Sequence, residues 1–178
     1  MTVLGFDPSL TCSGFAYEQE DGVHTGTIRS QSLRGAERLD FIEKTFISLL
    51  YEVKPSLIAY EGYAMGGPQG KGRLFDIGEL GGVLKLVAAR RSIPVFLVPP
   101  ANLKQFATTK GNAKKPQVMK AIAELWKYSI KQDDEADAFV LMKMGEAFLN
   151  KRKLRTYDEK RRGSLAKCQV VPGFPKCN

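Results

Sequence analysis

Histidine is almost absent from this chain: His24 is the only one in 178 residues. It falls in a short β-like run at the surface, so a histidine nucleophile-base mechanism has little material to work with. Cysteine is also scarce. Cys12, Cys168 and Cys177 are an odd number at no zinc-ligand spacing, which argues against a structural zinc site. Cys12 reads as a small reduced core residue, and the expected compartment is the reducing cytoplasm. No apolar run approaches the length of a membrane span, and the opening MTVLGFDPS lacks the basic start and long apolar core of a secretory signal. No internal repeat is visible. That disfavours nucleotide-clamping ATPases of the actin or sugar-kinase type, which begin with a similar strand and acidic turn but need two copies of the fold.

Positive charge is plentiful and unevenly placed. The net charge is +8. Residues 151–178 hold nine Lys/Arg against Asp158 and Glu159, and residues 104–131 hold seven Lys against Glu124. The remainder is net acidic, with sixteen acidic and eleven basic residues. A mildly acidic body with two basic segments is the footprint of a nucleic-acid binder. A solvated helix face and a disordered basic tail would leave the same record. Hydrophobic content of 43% and charged content of 26% fit one globular domain with a full core.

Residues 2–7 read as a strand stopped by Pro8. Residues 14–17 and 23–28 read as two more, separated by the turn-like EQEDG, and the three suggest an antiparallel meander. Leu39, Ile42, Phe46, Leu50 and Val53 recur at helical spacing within 35–53. The continuous apolar run at 56–60 suits a central parallel strand. Residues 62–72 contain five glycines and read as a loop. A helix follows, with Leu80, Val83, Leu84 and Val87 on one face, which is either domain core or a dimer interface. Residues 93–98 form the next strand. A short amphipathic piece at 102–107 leads to a helix with Pro116 in its first turn, and a last helix spans about 133–150. The class is α/β: a mixed sheet of a three-stranded antiparallel meander plus parallel strands, flanked by helices. Residues 1–150 make the domain. Residues 151–178 read as a basic extension without apolar periodicity and so without a core.

Three acidic stations stand out on this frame. Asp7 and Glu61 each end a buried strand, and Asp134 and Asp137 share a face of the last helix's first turn. A charge left at the end of a buried strand is costly unless something positive sits there. Each station has an ordinary explanation by itself: a turn before Pro8, a loop cap, a helix start favoured by its dipole. Together they suggest oxygen ligands for hard cations, Mg²⁺ or Mn²⁺. Two such ions roughly 3.5–4 Å apart suit phosphodiester hydrolysis. Asp7 on the first, central strand is the candidate bridge.

These segments resemble a known family. GFDPSLTCSGFAY is similar to the opening strand and turn of the ribonuclease H-like superfamily, and specifically of the RuvC family of Holliday junction resolvases. LIAYEG resembles the family's second acidic strand. VPPANLKQFATTKGNAKKPQV resembles its Lys-Gly-Asn-Ala-x-Lys-x-x-Val segment, and DDEADAFVLM its closing Asp-x-x-Asp-Ala helix start. The resemblance spans about residues 1–150, in order. It implies a ribonuclease H-like fold, a homodimer, and nicking of four-way DNA junctions with two Mg²⁺ per active site, Mn²⁺ being the substitute ion. It also implies catalytic and metal-ligating roles for Asp7, Glu61, Asp134 and Asp137, and basic residues near DNA at Lys110 and Lys115; Lys114 beside them is expected to contact phosphate as well.

Further DNA contacts are expected from Lys71 and Arg73 near the glycine-rich loop, and from Lys151, Arg152, Lys153, Arg155, Arg161 and Arg162 acting as an electrostatic arm. Tyr63 is the candidate stacking residue, although the family's aromatic stands one position later, where this chain has Ala64. The glycine-rich loop and the basic tail suggest a divergent member, such as a bacteriophage one working in the host cytoplasm. Alternative readings are a broader branched-DNA or RNA–DNA hybrid nuclease, or a non-catalytic nucleic-acid-binding module. Carboxylates facing a polyanion without metals speak against the last.

Overall fold

The structure, a computed structural model, describes residues 1–62 and 71–173, with only the backbone described for residues 71–73. Residues 63–70 of the expected loop, Tyr63 among them, therefore lie outside the described residues, as do the side chains of Lys71 and Arg73; at 71–72 the backbone is already helical and not loop.

Strands β1 (Val3–Asp7), β2 (Cys12–Gln19) and β3 (Gly22–Arg29) form the expected meander. The β2–β3 hairpin turns through Glu20 and Asp21 into Gly22, whose φ of 126° is a conformation that favours glycine. Helix α1 (Gly35–Val53) returns the chain to β4 (Leu57–Glu61), which pairs with β1 in parallel. Helix α2 (Lys71–Arg90) leads to β5 (Val95–Val98), parallel to β4. Helices α3 (Pro100–Thr108), α4 (Lys115–Trp126) and α5 (Asp133–Leu149) follow.

Strand alternation separates two cores. Leu4, Phe6, Ile58, Tyr60 and Val95 face α1 and α2, while Val3, Leu57, Ala59, Phe96 and Val98 face α3, α4 and α5. Leu80, Leu84 and Val87 of α2 are buried in the first of these cores, so that face of the helix is domain core and not an interface.

The extension is not a tail without packing. Asn150 caps α6 (Lys151–Arg155), Asp158 caps α7 (Glu159–Gly163), and a 3-10 turn at Ser164–Lys167 leads into β6 (Gln169–Val171). Strand β6 joins the edge of β5, giving a six-stranded sheet in the order β3-β2-β1-β4-β5-β6. Leu154, Tyr157, Leu165 and Cys168 pack on the α3–α5 core. Asn102 donates to the carbonyl of buried Ser164 at 2.6 Å, and Trp126 donates to the Tyr157 hydroxyl at 3.1 Å. Apolar periodicity could not reveal this, because helices of five residues give one or two anchors each and no repeat.

Candidate active site

Parallel pairing places the first two acids side by side. Phe6 of β1 lies opposite Tyr60 of β4, so Asp7 and Glu61 follow together at the carboxyl ends of adjacent central strands. In α/β sheets this is where ligands gather.

The second pair arrives because glycines let α5 lie directly on the sheet. Asp7 pairs across β2 with Gly14, and a Cβ on Gly14 would sit 2.0 Å from the Asp134 carbonyl oxygen. One turn further along, a Cβ on Gly5 would stand 2.0 Å from the Ala138 carbonyl. At the far end, Gly145 of α5 fits against Val3 and Ala59. The helix thus runs back along β1 with its acidic first turn over Asp7. Two polar bonds hold that turn to β3: Arg29 Nη2 donates to Gln132 at 2.6 Å and Thr25 Oγ1 to Glu135 at 2.8 Å. Glu135 is therefore a structural acid, and Asp134 and Asp137 are the ones left for the cleft.

All four carboxylates are half-buried, as cleft-lining groups should be. Burial, then Glu61, then Asp137 and Asp134 push the Asp7 carboxyl well above the usual carboxylate range. The Glu61 side chain beside it raises Asp7 further, and Asp7 in turn lowers Glu61. Burial outweighs that and leaves Glu61 raised. Asp137 is pushed up to about 7, first by burial and then by Glu61. This is the signature of like charges crowded in a poorly solvated place. Among the described residues no three acidic, His or Cys side chains close on one point as they stand. The carboxylates are coupled by their fields. An all-oxygen donor set carrying this much uncompensated charge fits a hard divalent cation.

Two lysines temper the cluster. Lys104 on α3 and Lys115 at the start of α4 both favour ionised Glu61 and Asp137. Lys115 was expected near the site; Lys104 was missed, since it lay in a short piece read only as amphipathic. Its signal was position: it follows the end of β5, the parallel neighbour of β4. Asp133 was also missed, and its carboxylate pairs with Lys115. Cys12 is buried beside Asp134; burial and then that carboxylate raise its thiol.

The other expected DNA contacts are spread out. Lys110 and Lys114 are exposed on the turn between α3 and α4. Lys151, Arg152, Arg155 and Arg162 are exposed on the packed extension. Lys153 is taken by Glu146, which also pairs at 3.3 Å with buried Lys143. Arg161, with 16% of its side chain exposed, pairs with Asp158 and donates to the Ala107 carbonyl at 3.2 Å. Lys153 and Arg161 therefore fasten the extension to the domain and are not free members of an arm. His24 bonds to Asp21 at 2.9 Å and stacks on Tyr17, apart from the acids.

A family model described as "Crossover junction endodeoxyribonuclease RuvC" matches residues 3–142. The chain belongs to the RuvC family. Two curated RuvC proteins show the level of similarity. The Rhodococcus jostii protein is 32% identical over 150 residues, covering 79% of this chain and 78% of its own length. That of Hydrogenovibrio crunogenus is 29% identical over 143 residues, covering 76% and 81%. Among solved structures, Thermus thermophilus RuvC in complex with a Holliday junction substrate superposes with a TM-score of 0.70 at 21% identity, covering 97% of this chain and 99% of that one. A second Thermus thermophilus RuvC structure gives 0.66 at 21% identity, covering 84% and 96%. At that identity the likeness speaks for the fold, which is ribonuclease H-like. RuvC proteins are metal-dependent endonucleases acting on DNA in recombination and repair, so this chain is a nuclease of that family. Among the described residues no helix is long and apolar enough to cross a membrane.

Proposed function

We propose that this protein resolves four-way DNA junctions by paired nicking, using Asp7, Glu61, Asp134 and Asp137 as its catalytic carboxylates. The observation that carries the proposal is the convergence of those four acids, from three separate segments, at the carboxyl ends of β1 and β4 with Lys104 and Lys115 beside them. Mg²⁺, or Mn²⁺ in its place, is the ion this donor set favours, and two per site suit the number of carboxylates. When bound, the ions supply an activated water and stabilise the departing oxygen.

The residues of the chain do the rest. Asp7, flanked by β2 and β4, would be the ligand the ions share. Asp137, its carboxyl raised to about 7 by burial and Glu61, would hold an ion together with Asp7, Glu61 and Asp134. Lys104 and Lys115 draw the scissile phosphate toward acids that would otherwise repel it. Lys110 and Lys114 contact flanking phosphates, and Lys151, Arg152, Arg155 and Arg162 extend the basic track over a fixed surface. Residues 1–150 form the catalytic unit, with the extension packed on its α3 side. The free thiols of Cys12 and Cys168 suit a reducing cytoplasm.

Symmetric nicking calls for a homodimer. The outer face of α2 supports one: Phe75 is 71% exposed, Leu74 and Leu86 are exposed, and a Cβ at Gly82 would meet nothing within 4 Å among the described residues. Phe75→Glu should convert dimers to monomers in sedimentation at micromolar concentration. A parent protein that is monomeric with and without junction DNA would count against the dimer.

The deciding assay compares four-way, flap, RNA–DNA hybrid and linear substrates side by side in Mg²⁺. Asp7→Asn, Glu61→Gln, Asp134→Asn and Asp137→Asn should each lower junction nicking by at least about a hundredfold while binding is kept or strengthened. Near-normal nicking by Asp7→Asn would sink the site assignment. Equal cutting of hybrid or flap substrates by the parent would replace junction resolution with a broader nuclease.

A further inference from the structure

The first turn of α5 holds one more acid than the cleft and the β3 anchor use. Asp134 and Asp137 act on Asp7, and Glu135 accepts from Thr25. Asp133 is left, and its carboxylate pairs with the Lys115 ammonium. The pair joins two elements far apart in the chain, the acidic start of α5 and the start of α4 just past the basic turn. Lys115 also acts on Asp134, Asp137 and Glu61. Its ammonium thus stands between a cleft built for a phosphodiester and a carboxylate outside it.

Both side chains are about half exposed, 56% for Lys115 and 46% for Asp133. An exposed single ion pair adds little stability and exchanges readily with other ions. A DNA phosphate presents the ammonium with the same chemistry as the Asp133 carboxylate, a compact oxyanion. Neither residue has a packing reason to be fixed in this pair.

We propose that Asp133 is a positioning residue that holds Lys115 as an internal stand-in for a DNA phosphate, so that Lys115 engages the backbone only by exchanging one oxyanion for another. The inference rests on the nuclease reading of the cleft and concerns how that cleft admits its substrate. Its consequence is weaker binding to DNA before metal arrives, because one phosphate contact is already satisfied internally.

The test uses the full chain in EDTA, where no cleavage intervenes, and follows anisotropy of a labelled four-way junction across a salt series. Asp133→Asn should make one further phosphate contact available. The log–log salt slope should steepen by about 0.9, which corresponds to roughly eightfold tighter binding at 0.1 M salt relative to a 1 M reference. Asp133→Glu should bind like the parent. In a Lys115→Ala background the effect of Asp133→Asn should vanish, because there is no ammonium to release. If Asp133→Asn tightens binding equally with and without Lys115, the effect is general charge removal and the inference is overturned. No change on Asp133→Asn overturns it as well. A parent protein that does not bind the junction at all overturns the nuclease reading and takes this inference with it. Thermal melting of each variant, expected to match the parent, separates binding from folding.

Discussion

Asp137 shows how a single residue reports on the whole cleft. Its carboxyl stands at about 7 because burial and Glu61 make its charged form costly, against an opposing pull from Lys115 and Lys104. The sign of the effect on stability follows. A carboxyl raised by folding stabilises the fold while it is protonated, below its ordinary value, and that contribution is lost as pH rises through about 7. In metal-free buffer, melting temperature measured from pH 4.5 to pH 8 should therefore fall for the parent relative to Asp137→Asn, with the gap opening between about 4 and 7. Millimolar Mg²⁺ should close it. An Asp137→Asn protein no more stable than the parent at pH 8 would show that the cleft is not crowded with charge.

Helix α5 is the element on which the site depends. It is buried around most of its circumference, from Ala136 to Ala147, and its sequence therefore carries almost no amphipathic signal. Its docking depth is set by glycines on the strands beneath it. A Cβ at Gly14 would meet the Asp134 carbonyl at 2.0 Å, and a backbone atom cannot rotate aside as a side chain can. Gly14→Ala should push the first turn of α5 off β2 and carry Asp134 and Asp137 away from Asp7. The fold should survive at a cost of about 1–3 kcal/mol, the usual range for overpacking. Nicking should fall much further, by about a hundredfold for a displacement near 1 Å. Chemical denaturation and junction cleavage on the same preparation would separate the two. A loss of activity no larger than the loss of folded protein would refute the positioning role.

At the scale of the whole molecule, the packed extension changes what truncation should do. Its anchors, Leu154, Tyr157 and Leu165, pack on the α3–α5 core, and the Tyr157 ring lies 4.8 Å from that of Phe106 and 6.4 Å from that of Trp126. Strand β6 also closes the open edge of β5. Ending the chain after Asn150 would strip apolar cover and leave Asn102 without its Ser164 partner. A few kcal/mol of lost burial in a domain of this size corresponds to a drop on the order of 10 °C in melting temperature. Calorimetry on the truncated protein checks this. An unchanged melting temperature would return the extension to the role of a loose arm.

The sequence by itself determined the meander, the parallel strands, and the four acids with their order along the chain. Strand runs and strand-end carboxylates are local patterns, and each could be recognised within a few residues. It also marked Lys115 as a basic residue beside the site, through the resemblance of its segment to the family's. What it could not carry was distance between segments. That α2 buries Leu80, Leu84 and Val87 and turns Phe75 outward depended on which face met β1 and β4. That Lys104 reaches Glu61, that Asp133 claims Lys115, and that Lys153 and Arg161 are spent on internal partners depended on helices laid side by side. Charge pairing is set by spatial separation, and only the tertiary fold decides which charges become neighbours.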